Sequence, residues 1–107
     1  SRKGIDIAAR GGAQVIATYN GKIAFAGKFR GYGQLLIIDH GDGYHTLLAG
    51  MARIDMAVGQ HVSTGEPVGL MGSEGGDRPV LYVELRRKGQ PINPLPWLAS
   101  RNDKVSG

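Results

Sequence analysis

Cysteine is absent from the 107 residues of this chain, which excludes disulfide staples and thiolate metal sites together. The absence decides nothing about compartment, since it suits both a reducing cytoplasm and a domain stable enough to need no bridge. No apolar run approaches the roughly 20 residues that a membrane-spanning helix requires. Aromatic residues are few, with one Trp, four Tyr and two Phe, and they do not interleave with basic residues. No nucleic-acid-binding motif is present, so the net charge of +4 reads mainly as a solvated basic surface open to acidic partners. Histidine is scarce as well. His40, His45 and His61 stand at spacings that suit no helical or close-packed ligand pair, and they read as ordinary turn or surface residues.

What the chain has in quantity is glycine, at 18 residues, distributed between short apolar segments. That is the composition of an all-β domain with many tight turns, and this length suffices for one core without disulfides. Ala13 to Thr18 reads as a strand, and Asn20-Gly21 as a hairpin turn into Ile23 to Ala26, because both central positions of such a turn need positive φ. Leu35 to Asp39 reads as a buried strand, and Gly41-Asp42-Gly43 reverses it into Tyr44 to Ala49. Leu81 to Arg86 alternates in polarity and turns at Lys88-Gly89. No helix longer than about two turns is expected. The chain opens inside a motif, as a trimmed domain does. Residues 1–101 are expected to form that domain and 102–107 a polar tail.

The segment Val58-Gly59-Gln60-His61-Val62 through Val68 is similar to the hairpin of biotinyl and lipoyl carrier domains. Those domains present a modified lysine at the hairpin tip, and no lysine lies between Lys28 and Lys88. The shared rhythm therefore reads as turn glycines alternating with inward β-branched residues.

A second likeness covers nearly the whole chain, from about Arg2 to Leu98. Arg2-Lys3-Gly4-Ile5-Asp6 and Val80-Leu81-Tyr82 resemble the two signatures, H-x-G-x-D and H-x-H, with which LytM-type peptidases bind one Zn²⁺ and cut peptidoglycan. Gly31-Tyr32-Gly33, Asp39 to Tyr44, Val58 to Gly72 and Glu84-Leu85-Arg86 with Asn93-Pro94 extend it. The four expected histidines are replaced, at Arg2, Gly50, Val80 and Tyr82, leaving Asp6 as the one remaining acid. A guanidinium repels a dication, Val80 has no donor and a phenol is a poor ligand at neutral pH, so no metal and no cofactor are expected. The set of losses, with Gly75-Gly76-Asp77-Arg78-Pro79 and the Gln90 to Leu98 ending, resembles the EnvC-like murein hydrolase activators.

The resemblance implies an antiparallel, barrel-sandwich-like β domain with short hairpins and an open groove. It implies a non-enzyme that binds a zinc-dependent N-acetylmuramoyl-L-alanine amidase in the periplasm of a Gram-negative bacterium, with an upstream coiled coil linking the full-length protein to the division machinery. A plain peptidoglycan-binding module is the alternative, and an active zinc endopeptidase a more distant one. Loss of the metal should leave the groove drier and suited to a peptide helix or strand, with an amphipathic regulatory helix of the amidase as the expected occupant. Tyr32, Leu35, Leu48 and Tyr82 are expected to line it, with Lys3 and Arg86 as positive charges at its edges. Asp6 is expected to bond to backbone or to Arg2, Glu84 to pair with a neighbouring cation, and Trp97 to close the core.

Overall fold

The computed structural model describes residues 3–73 and 78–97. Arg2, the Gly75-Gly76-Asp77 stretch and the 101/102 domain boundary lie outside them. Ten strands follow one another: β1 (Ile5–Ala8), β2 (Gln14–Ile16), β3 (Gly21–Phe29), β4 (Gly33–Gly41), β5 (Tyr44–Ala49), β6 (Arg53–Ile54), β7 (His61–Val62), β8 (Pro67–Leu70), β9 (Val80–Arg87) and β10 (Gln90–Ile92). Residues 95–97 are helical. No described helix is long and apolar enough to cross a membrane.

Seven strands make one antiparallel sheet in the order β1-β9-β5-β4-β3-β7, with β10 also on β9, and β2-β8-β6 make a second. The antiparallel all-β class is the one expected from the composition. Alternation along each strand gives the large sheet two different faces. Leu36 and Ile38 of β4, Leu48 of β5 and Val83 of β9 face the small sheet, where they pack with Val15, Val68 and Met71. Leu35 and Ile37, Leu47 and Ala49, and Tyr82 point the other way, into a second apolar cluster with Phe25 and Tyr32.

The β4–β5 and β9–β10 connections are two-residue hairpins, at Asp42-Gly43 and Lys88-Gly89, with positive φ at all four positions. Asn20-Gly21 is different, and the expected hairpin there does not form. β2 pairs with β8, whereas β3 pairs with β4 and β7, so the dipeptide carries the chain from one sheet to the other. Neither residue has positive φ. Instead, the Asn20 side chain accepts from the Thr64 N–H and hydroxyl, at 2.7 and 3.0 Å, tying the crossing to the β7–β8 turn. Gly21 is demanded by crowding, since a Cβ there would run into the Asp39 carbonyl.

One end of the core is closed by rings, as expected of Trp97. Its indole lies 5.6 Å from Tyr19, 5.4 Å from His40 and 5.4 Å from Tyr44, centroid to centroid. Beneath them His40 Nδ1 lies 2.8 Å from the Asn20 carbonyl, and Nε2 lies 2.6 Å from Thr46 Oγ1, which in turn is 2.9 Å from Thr18 Oγ1. With neutral imidazole, Nδ1–H donates to the carbonyl and Nε2 accepts the Thr46 hydroxyl. Burial pushes the His40 pKa below its ordinary 6.5; the Asn20 carbonyl and Asp39 pull it back, and nearby His45 pushes it further down.

Below pH 6.5 the unfolded chain therefore takes up this proton before the folded one does, so stability falls with pH until the lower folded value is passed. Thermal melts should give a constant Tm from about pH 8 to 7 and a decline below about 6.5. His40→Gln should flatten part of that decline; an unchanged slope would mean that His40 is not held neutral.

Candidate functional site

The uncovered face of the large sheet carries several of the positions singled out from the sequence. On β9 the period of two places Tyr82, Glu84 and Arg86 on this face while Val83 and Leu85 go to the other. Register sets their neighbours. Tyr82 lies between Asp6 of β1 and Ala49 of β5, Glu84 beside Leu47, and Arg86 beside His45, which lies opposite Asp39.

A continuous file of rings crosses this face. Phe25 meets Phe29 at 5.6 Å, Phe29 meets Tyr32 at 6.1 Å, and Tyr32 meets Tyr82 at 6.0 Å. Tyr32 is held there by the tight β3–β4 turn, where its N–H reaches the Phe29 carbonyl at 3.0 Å and Gly31 and Gly33 take positive φ. Phe29 and, two residues before Tyr82 on β9, Val80 remain 52% and 46% exposed.

Under the rings runs a polar chain. The Gly4 N–H donates to Tyr82 Oη at 2.9 Å, the Tyr82 hydroxyl donates to Glu84 Oε1 at 2.6 Å, and the Arg86 guanidinium donates to Glu84 Oε2. Glu84 is 1% exposed, so its pairing with a cation satisfies a charge that could not otherwise stay in the interior. Burial raises the Tyr82 pKa above the ordinary phenol value, and the bond to Glu84 adds to that; the Gly4 N–H works against both. The phenol therefore stays neutral at every physiological pH.

The expected groove residues are not all brought together. Tyr32, Leu35 and Tyr82 belong to one cluster, with Leu35 as floor rather than wall because it is covered by its neighbours. Leu48 is a correction: it faces the small sheet, 1% exposed in the main core. The alternation of β5 that places Leu47 and Ala49 on the groove face forces Leu48 away from it. Lys3 is exposed at the start of the described chain. Arg86 is not a free edge charge, since it neutralises Glu84, though it keeps part of its surface in solvent. Phe25, Phe29 and Glu84 escaped the sequence reading as groove residues. The four-residue spacing of the two phenylalanines, an even number on one strand, was the available signal.

Zinc requires three or four His, Cys or carboxylate donors. The positions that the resemblance matches to the zinc signatures supply, among the described residues, Asp6, a neutral phenol at Tyr82 and an alkyl group at Val80. Gly50 adds none: it has φ of 103°, and a Cβ there would strike the Val80 carbonyl. His40 lies under the Trp97 cluster, His45 is 3.9 Å from Asp39, and His61 pairs in register with Lys22 at the sheet edge. Among the described residues no group of three or more His, Cys, Asp or Glu could hold a metal ion. The donor set does not fit zinc.

The chain is 41% identical over 97 residues to the murein hydrolase activator EnvC of Escherichia coli K12, covering 90% of this chain and 23% of that protein. It is 42% identical over 100 residues to a lipoprotein NlpD/LppB homolog of Pseudomonas aeruginosa, covering 92% and 34%. It thus spans only about a quarter to a third of the length of these two relatives. Among solved structures, the antimicrobial peptidase lysostaphin from Staphylococcus simulans superimposes with a TM-score of 0.80 at 26% identity, over 92% of this chain and 44% of that one. The sandwich, its register and these identities converge, and the chain belongs to peptidase family M23, whose model matches residues 1–94.

Proposed function

We propose that this chain does not cut peptidoglycan but activates a peptidoglycan hydrolase, specifically a zinc-dependent N-acetylmuramoyl-L-alanine amidase in the periplasm of a Gram-negative bacterium. The observation that carries this reading is the file of rings over a donor-poor floor, where Tyr82 is committed to Gly4 and Glu84. The name of the Escherichia coli relative supports it. An amphipathic helix of the amidase lies along Phe25, Phe29, Tyr32 and Tyr82, with Lys3 and the exposed part of Arg86 at the rim. Tighter binding to the open amidase shifts its population toward the active form, and only the difference in affinity between its two states counts. Peptidoglycan itself is the second candidate ligand, and the upstream coiled coil of the full-length protein would bring the domain to the division machinery.

Release of dye from labelled peptidoglycan tests the pairing. The domain alone should release none, and adding it to amidase should raise the amidase rate. Release by the domain alone, or co-sedimentation with peptidoglycan without any effect on amidases, would overturn the reading. Elemental analysis after incubation with Zn²⁺ and desalting should find close to no metal; one zinc per chain would reopen the peptidase alternative.

Phe29 is the cleanest probe of docking, because it is half exposed and meets the Phe25 and Tyr32 rings on this face. Phe29→Ala should leave stability within about 0.5 kcal/mol and weaken amidase stimulation by about 30-fold, the effect of losing one anchor of about 2 kcal/mol. Lys3→Glu should reduce stimulation without loss of stability. Arg86→Glu cannot separate the two effects, since it places a second carboxylate against Glu84; urea denaturation should find a loss of about 2 kcal/mol, moderated by solvent at the exposed side of the pair.

A further inference from the structure

We propose that Glu84 is a positioning residue: its buried carboxylate holds Tyr82 and Arg86 in one fixed geometry, and through Tyr82 it clamps β1 to β9 where zinc peptidases of this family use a metal. The inference extends the activator reading by assigning the docking surface its internal support.

The two sequence signatures of the zinc site fall on β1 and β9, which pair in register from Ile5 with Val83 to Ala8 with Val80. A metal bound by residues of both would cross-link the strands. Here the cross-link is made of hydrogen bonds. The Gly4 N–H, just ahead of β1, donates to Tyr82 Oη, and the Tyr82 hydroxyl donates onward to Glu84. Gly4 suits this place because any Cβ would run into the Val83 carbonyl and the Tyr82 ring. Closing the chain, Arg86 donates to the second oxygen of Glu84.

The carboxylate is essential to the arrangement because it accepts at two oxygens and donates at none. One oxygen takes the phenol proton and the other the guanidinium. An amide of the same shape has one acceptor oxygen and a donating NH₂ in place of the second. Glutamine at this position therefore either loses Arg86 or turns its NH₂ onto Tyr82 Oη, which sets a second donor against the Gly4 N–H, strands the phenol proton and loosens Tyr82. Tyr82 is also the inner end of the ring file, so its release disturbs the packing of Tyr32 against it.

Glu84→Gln and Tyr82→Phe test the clamp and the positioning separately. Amide hydrogen exchange at Gly4 should accelerate at least 10-fold in both variants, while far-UV circular dichroism keeps the β signature. Alkaline absorbance titration, with Tyr82→Phe identifying the Tyr82 contribution, should find that this phenol ionises at lower pH in Glu84→Gln than in the unmodified domain. With an amidase that the unmodified domain stimulates, Glu84→Gln should lose at least 10-fold in stimulation. Unchanged Gly4 exchange and unchanged phenol titration in Glu84→Gln would overturn the clamp. Altered exchange with full stimulation would overturn the positioning role. Should Glu84→Gln fail to fold, Tyr82→Phe carries the exchange test alone, and normal Gly4 protection there overturns the clamp. Failure of the unmodified domain to stimulate any amidase would instead remove the activator reading and leave the exchange and titration results standing.

Discussion

The large sheet is apolar on both faces, but a second sheet covers only one of them. The run Leu35-Leu36-Ile37-Ile38 has no polar residue for either side, the pattern of a strand meant to be buried twice. Three short strands, β2, β6 and β8, protect the side of Leu36 and Ile38. On the side of Leu35 and Ile37 the cover consists of Phe25, Tyr32 and Tyr82, rings supplied by the sheet itself and by one hairpin. Such a cover is thin at its margins, and it leaves an apolar strip that water wets poorly and that another chain can complete.

Both faces also contain one deeply buried polar group, and the two are handled alike. Thr46, on the side of the small sheet, is linked to His40 and Thr18; Glu84, on the groove side, is linked to Tyr82 and Arg86. In each case the network reaches a segment far away in sequence. Thr46 connects β5 to the chain entering β3, and Glu84 bonds along β9 to Tyr82, whose hydroxyl oxygen accepts from Gly4 ahead of β1. A fully satisfied buried network of this kind rigidifies its surroundings, whereas loss of one member leaves a costly orphan. The large sheet is thus pinned on one face by a hydroxyl–imidazole chain and on the other by a carboxylate.

Much of this was legible in the sequence because local chemistry and global fold agree. Asp42-Gly43 and Lys88-Gly89 turn where they should, and the alternation of Leu81 to Arg86 places the site strand correctly. Two failures have distinct causes. Asn20-Gly21 carries the hairpin signal, but its flanking strands belong to different sheets, and strand partnership is a long-range property that no dipeptide encodes. Leu48 reads from sequence as a groove residue although Leu47 and Ala49 belong there, because an apolar strand with two buried faces does not announce which parity faces which way. Glu84 was expected to pair with a cation. That Tyr82 would occupy its other oxygen depended on the register of three strands, which only the folded chain fixes.

Gly50 carries a consequence for descent. Its backbone is in a conformation that other residues rarely adopt, and the carbonyl of Val80 occupies the direction in which a side chain would leave it. A histidine arising at this position by mutation would have to push β9 aside or flip the end of β5 before it could face the groove. Any side chain added at residue 50 therefore begins with a less stable protein, whatever its chemistry. The backbone at residue 50 works as a filter, admitting glycine for its shape regardless of what the neighbouring side chains do.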